Sequence, residues 1–171
     1  VVTPSGELEG HNTDIIALEK ILKKIPQKNR IAVVGTGGAA RGAIVAAQRF
    51  VTVTVIGRDS NKVDELSREF GILKNDAIFD VVIGCVPSSA QAGLLGKFPD
   101  LIGPSTWVVE MAYIPKNTLF TSLASKVIFG SEVLIRQAIE QHKLWTGDDT
   151  EIDYDWLANK LHMHVRHVQT D

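Results

Sequence analysis

An α/β architecture, with a mainly parallel sheet flanked by helices and a further helix at the C-terminal end, is predicted by two observations. Short continuous runs of β-branched and apolar residues alternate with segments whose apolar residues recur at helical spacing, the pattern that builds parallel sheets from strand–helix–strand units. In VVGTGGAARGA (33–43), one such run hands over to a helix through three glycines, Gly35, Gly37 and Gly38.

The elements follow in order. NTDIIALEKILKKI (12–25) offers Asn12 and Thr13 as caps, Asp14 in the first turn and Ile15, Leu18, Leu22 and Ile25 at helical spacing, so a helix should end near Pro26. RIAVVG has the look of a strand buried on both faces, and AARGAIVAAQRF forms the helix after the glycines. VTVTVIG and the charged, amphipathic SNKVDELSREFG repeat the pair. FDVVIGCV continues the alternation, followed by a small-residue stretch around SSAQAGLLGKF, the strand TWVVEMAY, a short helix near NTLFTSLA and the run VIFG. SEVLIRQAIEQHKLW predicts a long helix whose apolar face is broken by one amide, Gln137. In DTEIDYDWLANKLHMHVRHV, acids come early, bases late, and Trp156, Leu157, Leu161 and Val165 recur at helical spacing, which predicts a packed terminal helix.

Composition narrows the function classes. With 171 residues, one domain with a substantial core is expected. A net charge of −2 gives no electrostatic case for nucleic acid or an anionic membrane, and the apolar runs break well before the roughly 18 residues of a membrane span. A single cysteine, Cys85, suits a reducing, cytoplasmic setting, and its place in an apolar run suggests a buried, inert thiol. The chain starts at Val1 without an initiator Met, the mark expected of a processed or excised piece of a longer protein. His162, His164 and His167 read as surface residues rather than metal ligands, because positions two apart on a helix do not share a face. No metal site is expected. Trp107, Trp145 and Trp156 read as core or domain-packing residues.

The glycines carry the chemistry. GTGGAA places Gly35, Gly37 and Ala40 in the three positions of G-x-G-x-x-G/A. The first glycine permits the tight turn, the second lets a pyrophosphate approach the backbone, and the third small residue allows close packing of helix on strand. The N–H groups opening the helix would then meet the phosphates, which makes the expected fold a Rossmann-like, doubly wound one. The second strand should end near the adenosine ribose, where Arg58 and Lys62 suit a 2′-phosphate and Asp59 suits a free 2′-hydroxyl, leaving NADP and NAD both open. A plain solvated turn is the bland alternative for all three.

The series GHNTD, VVGTGGAARGA, GRDSNK, VVEMAYIP and GSEVLIRQAIEQHKLWTG resembles the shikimate/quinate dehydrogenase family, in its nucleotide-binding portion and the hinge before it. The resemblance implies a hinge and helix with the N-T-D motif over 1–25, an NAD(P)-binding domain over 26–147 and a C-terminal helix over 148–171. It implies that Asp14 is the carboxylate working beside a lysine at the substrate hydroxyl, and that Asn12, Tyr113 and Gln137 also serve the substrate. It assigns the dinucleotide, NADP or (because of Asp59) NAD, to Gly35, Thr36, Gly37, Gly38, Ala39, Ala40, Arg58, Asp59, Lys62, Val86, Tyr113 and Gly130. The implied reaction is reversible hydride transfer between NADP(H) and 3-dehydroshikimate/shikimate, or quinate in its place. The substrate-binding half with its lysine is absent from these residues, so the 171 residues alone should bind a dinucleotide without turnover. Apolar surface left bare should then favour a homodimer.

Departures from the family pattern are informative. Asn-Arg-Thr is usual where Gly57, Arg58 and Asp59 stand; a second glycine and a methionine are usual in the stretch Ser131, Glu132 and Val133; His11 and GCVPSS also differ. Gly57, Asp59 and Glu132 suit an alternative, a non-catalytic relative acting as a regulatory domain, such as a quinate-pathway repressor. The retained Asp14, Tyr113 and Gln137 argue for the enzyme.

Overall fold

The computed structural model describes residues 1–3, 5–72, 78–148, 150 and 152–160. The order is α1 (Thr13–Lys24), β1 (Ile31–Val34), α2 (Gly38–Gln48), β2 (Val53–Ile56), α3 (Ser60–Glu69), β3 (Val81–Gly84), α4 (Ser88–Lys97), β4 (Trp107–Glu110), α5 (Leu119–Leu123), β5 (Lys126–Ile128) and α6 (Gly130–Thr146). A last helical stretch, α7, covers 154–160. The five strands form one all-parallel sheet in the order β2-β1-β3-β4-β5.

Period-two alternation along buried strands divides the interior in two. Ile31, Val33, Val81, Ile83 and Val109 join one cluster with Leu18, Ile21, Leu22 and Ile44 of α1 and α2. Ala32, Val34, Val82 and Val108 join the other with Leu94 and Phe120 of α4 and α5. Both faces are thus covered, which is why the strands read as continuous apolar runs. Helix α1 lies in the first cluster, between α2 and α6, so the N-T-D motif is carried by a helix rooted in the same core.

Several elements depart from the sequence reading. SSAQAGLLGK is the regular helix α4, and β4 ends at Glu110, earlier than the strand-like run suggested. The N-terminal residues form a small hairpin, with an antiparallel bridge between Val2 and Leu8. Trp145 and Trp156 are not core residues: they are 72% and 58% exposed, and only Trp107 packs against the interior. Helical spacing at the end of α6 and in α7 therefore did not mark a packed face at those two positions. Leu161, His162, His164, Val165 and His167 lie outside the described residues. Among the described residues, no helix is long and apolar enough to cross a membrane.

Candidate active site

The sheet order reverses between β1 and β3: β1 is followed in the chain by its neighbour on one side, and β3 takes up the other. In open α/β sheets a crevice forms there, beyond the carboxyl ends of the strands. The glycine turn lies at that point. Gly35 donates its N–H to Ile56 O at 2.7 Å, and Cys85 donates to Val34 O at 2.8 Å, which extends the ladders one residue past β1 and β3. Gly35 has φ +130°, and a Cβ there would lie 2.8 Å from Cys85 O, so both its conformation and its neighbour demand glycine.

Next comes an uncapped helix. Asn12, Asp59 and Thr118 cap α1, α3 and α5 with their side chains; α4 and α6 have no side-chain cap, and neither does α2, which follows Gly37 with no acid in its first turn. Its opening N–H groups and the positive end of its dipole are therefore left for an anion. A Cβ on Gly37 or Gly38 would meet no atom within 4 Å, so open space lies over the turn. Gly37, Gly38 and Ala39 are exposed, Thr36 is half-buried, and Ala40 is buried under α2. These features fit a pyrophosphate.

Arg58 and Asp59 are exposed on the turn that follows β2 and Lys62 is exposed in the first turn of α3, beside the glycine turn. Asp59 serves its own helix, since its Oδ1 accepts from the N–H groups of Asn61 at 3.0 Å and Lys62 at 3.3 Å, capping α3. Gly57 has a packing reason too, since a Cβ would lie 2.9 Å from Val63 Cγ2 and 3.2 Å from Thr36 Cγ2. A cavity of about 610 Å³ runs between β2, α3 and the end of α4, lined by residues such as Thr54, Gly57, Ser67, Phe79, Lys97 and Leu101. None of Gly35, Gly37 or Gly38 lines it, so it is separate from the phosphate cradle.

The residues assigned to substrate come from opposite ends of the chain. Thr13 donates its hydroxyl to Gln137 Oε1 at 3.0 Å, joining the start of α1 to α6 across 124 positions. Asn12 Oδ1 accepts from Asp14 N at 3.1 Å, so it holds the first turn that presents the half-buried Asp14. Asp14 is close enough to Cys85 for its charge to act on the thiol. Tyr113 is 53% exposed on the loop after β4, and Val86 packs at the rim of the second cluster. Gly130 is the seat of α6: a Cβ there would lie 2.3 Å from Ala112 O. Glu132, a departure from the family pattern, pairs with Arg136 at 2.7 Å, and that guanidinium stacks 4.6 Å from the centre of the Tyr154 ring.

Cys85 is half-buried as a residue rather than fully buried, and desolvation of its thiol, with the charges of Glu110 and Asp14 adding to the effect, pushes it above its ordinary range. The native thiol therefore keeps its proton to higher pH than the unfolded one. The native state then binds more protons than the unfolded one, so this contribution to stability is complete below about pH 9 and is lost as pH rises further. A disulfide reagent at pH 8 is expected to label Cys85 slowly in native protein and rapidly in urea. Equal rates would show a reactive, accessible thiol.

Sequence reasoning missed Glu110. It closes β4, is fully buried, and accepts hydrogen bonds from Gln91, Thr118 and Ala112. An acid directly after an apolar strand, with Thr118 and Thr121 shortly beyond as a capping box, was the available signal.

No family model matches the chain. Curated relatives do. It is 30% identical over 155 residues to the shikimate dehydrogenase (NADP(+)) of Ignicoccus hospitalis, covering 83% of this chain and 59% of that protein. It is 31% identical over 171 residues to the shikimate dehydrogenase (NADP(+)) of Sulfolobus acidocaldarius, covering 90% and 63%. The fold matches the shikimate 5-dehydrogenase of Thermus thermophilus, solved in complex with NADP(H) and shikimate, with a TM-score of 0.73, 24% identity and coverage of 90% of this chain and 63% of that one. The chain thus spans about three fifths of the length of the curated relatives it matches. Over the portion that it spans, the chain is similar in sequence and in fold to shikimate dehydrogenases.

Proposed function

We propose that the chain is the NADP-binding part of a shikimate dehydrogenase-type oxidoreductase, with residues 26–147 as the dinucleotide domain, 1–25 as the hinge segment and 148–171 as the terminal helix. The observation that carries this reading is the convergence of an uncapped glycine-rich helix start and the Thr13–Gln137 bridge on the carboxyl end of one parallel sheet. The N–H groups of the first turn of α2 hold the pyrophosphate, and Arg58 and Lys62 take the 2′-phosphate. When bound, the dinucleotide would supply the redox chemistry, as NADP+ for hydride removal from the substrate carbinol carbon and as NADPH for its return to the carbonyl carbon. Asp14 holds the hydroxyl proton on the substrate side, aided by an acid/base partner in the length of the relatives that this chain does not span. Gln137, fixed by Thr13, offers its amide to substrate hydroxyls. Two copies associate through exposed apolar residues such as Val2 and Leu8. The regulatory alternative draws no support from the relatives, which are named as dehydrogenases.

Calorimetric titration of the 171-residue protein with NADPH and NADH tests the reading. Saturable binding with NADPH the tighter ligand, and no turnover of shikimate, is the expected result. Absence of binding by either dinucleotide would leave the glycine turn as architecture alone.

A further inference from the structure

The loop between β4 and α5 carries Tyr113 and supports α6, and one buried carboxylate holds both ends of it. Glu110 Oε1 accepts the N–H of Ala112 at 3.1 Å, at the start of the loop. Its Oε2 accepts the Thr118 hydroxyl at 2.6 Å, at the end of the loop, and Gln91 Nε2 at 2.8 Å from α4. Gln91 passes the connection on, since its Oε1 accepts the N–H of Phe120 at 2.9 Å. Thr118 and Thr121 then close the capping box of α5. The carboxylate thus receives three hydrogen bonds, all from neutral groups, and its 0% exposure removes water as a substitute. Burying a charge in this way is unfavourable unless every bond is made, so the site tolerates little displacement of its partners.

What those partners position is the Ala112–Tyr113 peptide. A Cβ on Gly130 would lie 2.3 Å from Ala112 O and 2.9 Å from Tyr113 N, so the N-terminus of α6 rests directly on that peptide. Two turns further along the same helix, Gln137 meets Thr13. The network lies under the half of the crevice away from the phosphate cradle, at the ends of β3 and β4, where Gly84 leaves room for Glu110 Oε1.

We propose that Glu110 is a positioning residue: its carboxylate fixes the Ala112–Tyr113 peptide and, through Gly130, the start of α6, so that the nicotinamide end of the dinucleotide finds a preformed seat. This role rests on the dinucleotide reading above. It separates the two halves of the ligand, because the adenosine half is held by α2 and the β2–α3 turn.

Glu110→Gln tests it on the 171-residue protein. The amide can present its oxygen to Gln91 and Thr118, but its NH2 group then faces the N–H of Ala112, two donors with no acceptor. Expected results are faster hydrogen exchange at the Ala112 amide by at least about tenfold and NADPH binding weaker by about tenfold. Binding of 2′-phospho-ADP-ribose, which lacks the nicotinamide, should be unchanged. Gln91→Met, which removes one donor to the carboxylate and keeps its charge, should give the same pattern at smaller size and serves if Glu110→Gln does not fold. Unchanged Ala112 exchange in a folded variant, or equal weakening of both ligands, overturns the proposal. Wild-type protein that binds neither ligand overturns the dinucleotide reading and this role with it, a failure distinct from normal binding with no selective effect of the variant.

Discussion

Replacing Gly130 with alanine is expected to lower folding stability by about 3 kcal/mol, the upper range for forcing a methyl group into packed structure. The added Cβ would sit 2.3 Å from Ala112 O, 2.5 Å from Ala112 C and 2.9 Å from Tyr113 N. All three are backbone atoms, and Glu110 holds the same peptide through the Ala112 N–H. Relief requires the first turn of α6 to slide, which strains the burial of Val133 and Ile135 and the Thr13–Gln137 bond. Helix propensity argues the opposite sign, because alanine in a helix is better than glycine by about 1 kcal/mol. The urea midpoint, read at constant slope, therefore decides between seat and propensity. A midpoint that rises would show that α6 does not rest on Ala112.

Much of this molecule was legible because its signals are local. Continuous apolar strands such as IAVV report burial on both faces, and Asn12 does cap α1 as its place before a helical pattern implied. Gly35 announces a turn through its residue type, and the left-handed backbone is what the structure has there. Where the signal depends on distant partners, the sequence is silent. Gln137 looked like a site residue and Thr13 like a cap, yet only the packing of α1 on α6 makes them neighbours. Glu110 was passed over because an acid at a strand end normally faces water; its side-chain donors lie 19 positions before it in Gln91 and 8 after it in Thr118. Gly130 drew attention only through the family resemblance; that the backbone of Ala112 leaves no room for a Cβ there is visible in the fold alone. Trp145 failed in the other direction: a large aromatic at helical spacing implied packing, but the side chain is 72% exposed.

At the ribose end, Arg58→Ala is expected to weaken NADPH binding by about thirtyfold, the worth of a charge-assisted hydrogen bond to a phosphate, and to leave NADH binding within about twofold. The neighbouring acid had pointed toward NAD. Its geometry changes that inference: one Asp59 oxygen is engaged by two amides of the first turn of α3, so helix capping accounts for an acid at this position without a ribose. Asp59→Ala should accordingly lower stability by about 1 kcal/mol and leave NADPH binding no weaker, since a negative charge near the 2′-phosphate is removed. The exposed arginine also predicts a salt effect. Its attraction for the 2′-phosphate is screened, so the preference for NADPH over NADH should narrow as ionic strength rises from about 0.01 M to 1 M. Parallel titrations of the wild type and both variants separate the two ribose assignments. Loss of NADH binding in Asp59→Ala, with NADPH spared in Arg58→Ala, would make the acid the ribose ligand and NAD the cofactor. The expected reverse pattern leaves Arg58 as the residue that selects the phosphate and Asp59 as the residue that holds α3 in place beside it.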